Sequence, residues 1–194
     1  GPVATSFDAF RSYQQSEAWT WEHLALTRAR PVAGSAELGA EIEAFRQELL
    51  AAKAGGESVV RDVAEMRARL RAAKPGQGAL EAKDGPGRLQ DIELLAQMLA
   101  LQAASPARRV EAQIAAGKRA GLIGAEAVER LGAAYRRLWR VQAALRLLAD
   151  RVTDPEALGE GARAFLLREA GESEMAALLA GLAEAAGQAE AVIE

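Results

Sequence analysis

The stretch Ala125-Glu-Ala-Val-Glu-Arg-Leu-Gly-Ala-Ala-Tyr-Arg-Arg-Leu-Trp-Arg-Val-Gln-Ala-Ala-Leu-Arg-Leu-Leu-Ala-Asp-Arg151 decides the fold. Val128, Leu131, Tyr135, Leu138, Val141, Leu145 and Leu148 recur at steps of three and four, the period of one helix face. Asp154-Pro155 closes the pattern, because a residue before proline avoids the α region. A helix this long with one apolar face must bury that face against other helices.

Working outward, the rest of the chain carries the same rhythm. Thr5 and Ser6 can cap a first helix edged by Phe7 and Phe10, with Asp8 in capping-box spacing from Thr5. A second helix is expected from about Glu17 to a stop before Pro31. Ser35 caps a third, with Leu38, Ile42, Phe45 and Leu49 on one side, and Ser58 starts a fourth on Val59, Val63, Met66 and Leu70. The fifth, from about Arg88 to Ala104, is apolar nearly all round (Leu89, Ile92, Leu95, Leu99) and belongs in the middle. Ser105-Pro106 reads as the cap and first turn of a sixth helix. Two less regular helices follow, near 162–170 and 173–191. Alanine makes up about a quarter of the chain, β-branched residues are few and Asn is absent, a composition that favours helix over sheet. The expected fold is all-α: an antiparallel helical bundle with a looser carboxy-terminal helical extension. Connector helices are expected over 1–31, the bundle over 32–152 and the extension over 153–194.

Several function classes fall away. With no Cys and one His, disulfides, zinc–thiolate sites, thiol nucleophiles and His-rich metal sites have no ligands. A net charge of −3 gives no basic field for nucleic acid. The uncharged run from Met175 to Ala183 is too short to cross a bilayer, and no signal peptide opens the chain, so a cytoplasmic protein is expected. Gly1-Pro2-Val3 reads as a cut end, so the chain is expected to be part of something larger.

Candidate chemistry is thin. Gly34-Ser35 followed by Glu41-x-Glu43 has the residues of a nucleotidyltransferase metal site. On a helix, however, positions two apart point in opposing directions, and no metal site is assigned. Asp84-Gly85-Pro86-Gly87 could cradle an anion at a helix start, though a Gly/Pro turn that merely opens a helix is commoner. Asp91, in the first turn, suits the helix dipole. His23 is expected to be hydrogen-bonded and partly buried. Arg130, Arg136, Arg137 and Arg140 make one side of the long helix basic; either water or an acidic protein partner can face them. On a helix beginning near Glu17, Glu22 falls amid Trp19, Trp21, Ala25, Leu26 and Ala29. A carboxylate there requires a cation, with Lys83 the first candidate and an Arg of the fourth or seventh helix the second.

Three stretches go beyond periodicity. Glu17-Ala-Trp19-Thr-Trp21-Glu22-His23-Leu-Ala-Leu-Thr-Arg28-Ala-Arg30-Pro-Val-Ala-Gly34 spends two Trp within three residues. Val63-Ala-Glu-Met-Arg-Ala-Arg-Leu70 and Lys83-Asp-Gly-Pro-Gly-Arg-Leu-Gln-Asp91-Ile-Glu93 follow in order. Together they resemble bacterial glutamine synthetase adenylyltransferases over about residues 4 to 150, the third through the family's Lys-x-Gly-x-Gly-Gly-x-x-Asp-Ile-Glu. The sequence departs at Arg88, where the family usually has Gly, and at Leu94, where it often has Phe. The resemblance implies an enzyme that moves AMP from ATP, with Mg²⁺, onto glutamine synthetase, under control of a PII signalling protein. The family's catalytic Gly-Ser and Asp-x-Asp would lie upstream of residue 1, so no catalytic residue is carried over. The chain would be the helical domain after the second nucleotidyltransferase domain. Its role would be regulatory or docking, against the alternatives of a nucleotide-pocket wall or a free-standing adaptor. Phe7, Phe10, Trp19, Trp21, Glu22, His23, Arg28, Arg30, Lys83, Asp91 and Glu93 are the expected structural and domain-interface residues.

Overall fold

The computed structural model describes residues 4–148 and 154–194. The described residues form nine α-helices and no strand: α1 Phe7–Ser16, α2 Thr20–Leu26, α3 Ala36–Lys53, α4 Glu57–Ala73, α5 Leu89–Gln102, α6 Val110–Arg119, α7 Ala125–Leu148, α8 Glu160–Ala170 and α9 Met175–Ile193. The expected end of the long helix near Arg151 lies outside the described residues, as do Gly1-Pro2-Val3 and the 152/153 boundary. The chain forms two compact units, Gly1–Glu65 with Leu94–Ile123, and Met66–Glu93 with Gly124–Glu194.

In the first unit the core gathers Leu24, Phe45, Leu49, Leu50, Val59, Leu99 and Ile114, all buried. Fully burying side chains of this size stabilises by about 1.5–3 kcal/mol each. Phe7 and Phe10 both meet the Phe45 ring edge-on, with centroids 6.0 Å apart, the arrangement aromatic quadrupoles prefer. Gly117 lets α6 close on Leu99, since a Cβ there would sit 2.9 Å from a Leu99 methyl.

In the second unit α7 packs against α8 and α9. Leu131, Leu138 and Val141 of α7 are buried, as are Leu178, Leu182 and Ala189 of α9. Met175 and Leu179 of α9 remain partly exposed. Although its uncharged run is short, α9 as a whole is long and apolar enough to cross a membrane by length and composition. It carries Glu184 and Glu190 and turns its apolar stripe inward, as a helix packed on a long neighbour does.

Of the two expected cap candidates for α1, Ser6 serves, its hydroxyl accepting from Ala9 N. Two expected boundaries move. The second helix begins at Thr20, not near Glu17, because Glu17 N and Ala18 N both donate to Tyr13 O and finish α1. The sixth begins at Val110, because Ser105 Oγ accepts from Ala107 N in a local turn instead of capping a helix. The fifth helix is buried as expected at Leu89, Ile92, Leu95 and Leu99.

Candidate functional site

Two clusters hold the residues singled out by the sequence, one in each unit. The first surrounds α2. Its early stop leaves the carbonyls of the last turn needing donors, and arginines supply them. Arg46, 2% exposed, donates to Leu26 O and Thr27 O, each at 2.8 Å, and to Pro106 O at 3.1 Å. Arg108 donates to Ala29 O at 2.8 Å, and Gln113 to Thr27 Oγ1 at 3.1 Å. Glu43 joins both arginines. Burial pushes its carboxyl up, but the Gln47 hydrogen bond and the charges of Arg46 and Arg108 outweigh that and hold it below its ordinary value.

Pinned at its carboxy-terminal end, α2 leaves its tryptophans in solvent: Trp19 is 71% exposed and Trp21 55%. His23 is buried, and its Nε2 donates to Gln14 O at 3.0 Å, the expected structural role. Arg28 and Arg30 are exposed at the end of the same stretch. Arg30 edges a cavity of about 150 Å³ lined by Phe10, Leu26, Pro31 and Phe45.

Glu22 corrects the expectation. Its carboxylate accepts from Trp19 N at 2.8 Å and from the Tyr13 hydroxyl at 2.7 Å. It stands in the first turn of a helix whose N-cap is Trp19, where backbone N–H groups and the dipole already welcome an anion. No cation from Lys83, α4 or α7 is needed. The helix starts three residues later than the apolar pattern suggests, and Trp19, Trp21 and Ala25 around Glu22 are exposed rather than buried.

The second cluster centres on Asp91, whose side chain is 6% exposed. Arg67 Nε donates to Oδ1 at 2.7 Å and Arg67 Nη2 to Oδ2 at 3.1 Å. Arg71 Nη2 donates to Oδ2 at 3.2 Å, and Gly87 N to Oδ2 at 3.0 Å. Burial pushes the Asp91 carboxyl up; hydrogen bonds from Arg67 and Gly87, then the Arg67 charge and Arg71, more than reverse it, and the group stays ionised below its ordinary range. Arg67 also reaches Ile193 O, and Arg71 reaches Glu190 and Glu194. The node thus fastens the end of α9. Gly87, at φ +63°, allows this approach, because a Cβ there would fall 2.0 Å from Ala186 O. Lys83 is exposed and Glu93 half-buried. Arg88, at the family's usual glycine, is half-buried and fills the turn with its side chain; the tight backbone is kept by Gly85 and Gly87, both at positive φ.

Sequence reasoning found Asp91 but missed Arg67, Arg71, Arg46, Arg108 and Gln113. Their only signal was that Arg67 stands in the second family-like stretch, so the second and third stretches meet at one ion pair. Glu41 and Glu43 lie on α3, and among the described residues no group of three or more His, Asp or Glu is placed to hold a metal ion.

An all-helical chain whose motif residues are tied together by arginines that anchor helix ends is the class this geometry defines. Residues 1–45 match the family described as glutamate-ammonia ligase adenylyltransferase, and residues 58–190 match that described as GlnD PII-uridylyltransferase. Bifunctional glutamine synthetase adenylyltransferase/adenylyl-removing enzymes are similar: that of Rhizobium meliloti is 47% identical over 69% of this chain and 13% of its own length. The Mesorhizobium japonicum enzyme is 40% identical over 70% of this chain and 14% of its own. The Caulobacter vibrioides enzyme is 37% identical over 100% of this chain and 20% of its own. The chain belongs to the glutamine synthetase adenylyltransferase family, and it spans a fifth or less of the length of these relatives.

Proposed function

We propose that this chain is the helical docking and regulatory domain of a cytoplasmic enzyme that transfers AMP from ATP to a tyrosine of glutamine synthetase. Mg²⁺ and ATP act at a nucleotidyltransferase centre outside residues 1–194, with residues 1–31 as the connector to it. Glutamine synthetase, the PII protein and that nucleotidyltransferase domain are the partners. One observation carries the reading: α2, in the most family-specific stretch, holds Trp19 and Trp21 out to solvent while Arg46 and Arg108 fix the chain at its carboxy-terminal end. A rigid helix with two exposed indoles is a surface prepared for a neighbour, since Trp concentrates binding energy at interfaces. The names of the relatives support the substrate.

Steady-state kinetics of the full-length enzyme with Trp19→Ala and Trp21→Ala test this. A docking role raises KM for glutamine synthetase, or removes the response to PII, and leaves KM for ATP unchanged. A raised KM for ATP alone would assign α2 to the nucleotide pocket instead. Unchanged kinetics and regulation in both variants would reject the reading.

A further inference from the structure

We propose that the cavity beyond the end of α2 receives one phenylalanine-sized apolar side chain of a partner protein, with an adjacent carboxylate of that partner held by Arg30. The proposal does not rest on the role given to Trp19 and Trp21, which stand at the amino-terminal end of α2. Phe10, Leu26, Pro31, Ile42 and Phe45 line the cavity. Phe45 is buried, but Phe10, Leu26 and Ile42 are only half-buried, so apolar surface stays within reach of solvent. The walls are fixed: Arg46 donates to Leu26 O and Thr27 O, and Pro31 lies against Gly39 of α3. The volume is about 150 Å³, the size of an apolar cavity that takes up a benzene ring. Sites that hold a whole small ligand are larger, about 300–1,000 Å³. Size therefore selects a single side chain, the anchor of a docked segment. Two of the lining groups are aromatic, so an incoming phenyl ring finds ring partners beyond simple burial.

Charge selects what stands beside that side chain. Arg30 is exposed at the cavity's edge, and its guanidinium has no ion pair or hydrogen bond among the described residues. Glu43 and Arg46 also line the cavity, but both are committed. Glu43 pairs with Arg46 and Arg108, and Arg46 donates to three carbonyls. Arg11 lies over the Phe45 ring at 5.4 Å and adds a second positive charge. Asp8 on α1 and Glu37 and Glu41 on α3 make no ion pair with Arg11 or Arg30 among the described residues. A positive rim on an apolar cavity fits a carboxylate next to an apolar side chain, because the guanidinium fork takes both carboxylate oxygens. A phosphate alone would meet Arg30 and leave the cavity empty. An apolar side chain alone would leave Arg30 unpaired.

Titrating the ¹⁵N-labelled 194-residue chain with a blocked peptide, in which phenylalanine precedes aspartate between glycine–serine flanks, tests this through amide chemical shifts. The expected result is saturable shifts centred on the residues lining the cavity. Affinity should fall at least about tenfold in A29L, which fills the cavity, and about fivefold in R30E. Exchanging the peptide's phenylalanine for alanine, or its aspartate for asparagine, should reproduce these two losses in turn. The dispersion of each variant's spectrum checks its fold, and R30E, at an exposed position, carries the test if A29L does not fold. Absence of saturable shifts would overturn the proposal. So would parent-like affinity in folded A29L or in R30E, or shifts centred on Trp19 and Trp21. Equal affinity for 3-phenylpropionate would name a free aromatic acid as the occupant, and self-association abolished by A29L would name a second copy; either would equally overturn it.

Discussion

Replacing Asp91 by Asn removes one charge from a nearly dry site and leaves the shape intact. The carboxylate now accepts two bonds from Arg67, one from Arg71 and one from Gly87 N. An amide keeps one oxygen and turns an N–H₂ toward a guanidinium, so at least one Arg67 donor loses its acceptor. Breaking a buried pair by removing one partner costs about 3–5 kcal/mol. Arg71 softens the loss, because it is 30% exposed and keeps Glu190 and Glu194, contacts worth under about 1 kcal/mol. The expected cost is therefore about 3 kcal/mol, near the low end of that range. Trp139 lies in the second unit and is its only tryptophan, so its emission in a Trp19→Phe/Trp21→Phe background follows that unit directly. With m near 2 kcal/mol/M the urea midpoint should fall by about 1–2 M. The pH dependence has a fixed sign. The folded carboxyl titrates below its unfolded value of about 3.9, so its contribution is complete above that pH. It is lost as pH falls through the folded value. Parent and Asp91→Asn should thus differ by a constant amount from neutral pH down to about 4 and converge in stronger acid. Replacing the pair together, Arg67→Met with Asp91→Leu, should cost far less than Asp91→Asn, since no charge is then stranded. A loss below about 1 kcal/mol, the range of a solvent-exposed pair, would refute the claim that this node is buried and anchors α9.

Three further outcomes are expected. Gly87→Ala should destabilise the second unit by at least about 2 kcal/mol, because it combines positive φ with a 2.0 Å approach to Ala186 O; the same Trp139 titration measures it. Leu95→Ala should cost about 2–5 kcal/mol in chemical denaturation, since Leu95 is buried on α5. Arg46→Ala should cost about 2–4 kcal/mol by stranding the carbonyls of Leu26, Thr27 and Pro106. Hydrogen exchange should also show residues 26–30 opening before the rest of the first unit.

What the sequence determined by itself was the helical periodicity, which is governed by neighbours one or two turns away, though not the exact helix starts. The steps of three and four in α7, the all-round apolarity of α5 and the alanine-rich composition dictated helices, because helix formation is read over one or two turns. The same local logic placed Glu41 and Glu43 on a helix, and the motif stretches carried the family. Tertiary structure decided whatever depends on partners distant in the chain. Glu22 looked like a stranded carboxylate only while its helix was thought to begin at Glu17; the fold of α1 against α2 supplied Tyr13 and a new first turn. Arg46 and Arg67 carried no sign of an anchoring role in the sequence, and they act as anchors because segments 19 to 126 residues away bring carbonyls and a carboxylate to them. Desolvation and ion pairing act through space, so their sign at a given residue is set when the helices pack.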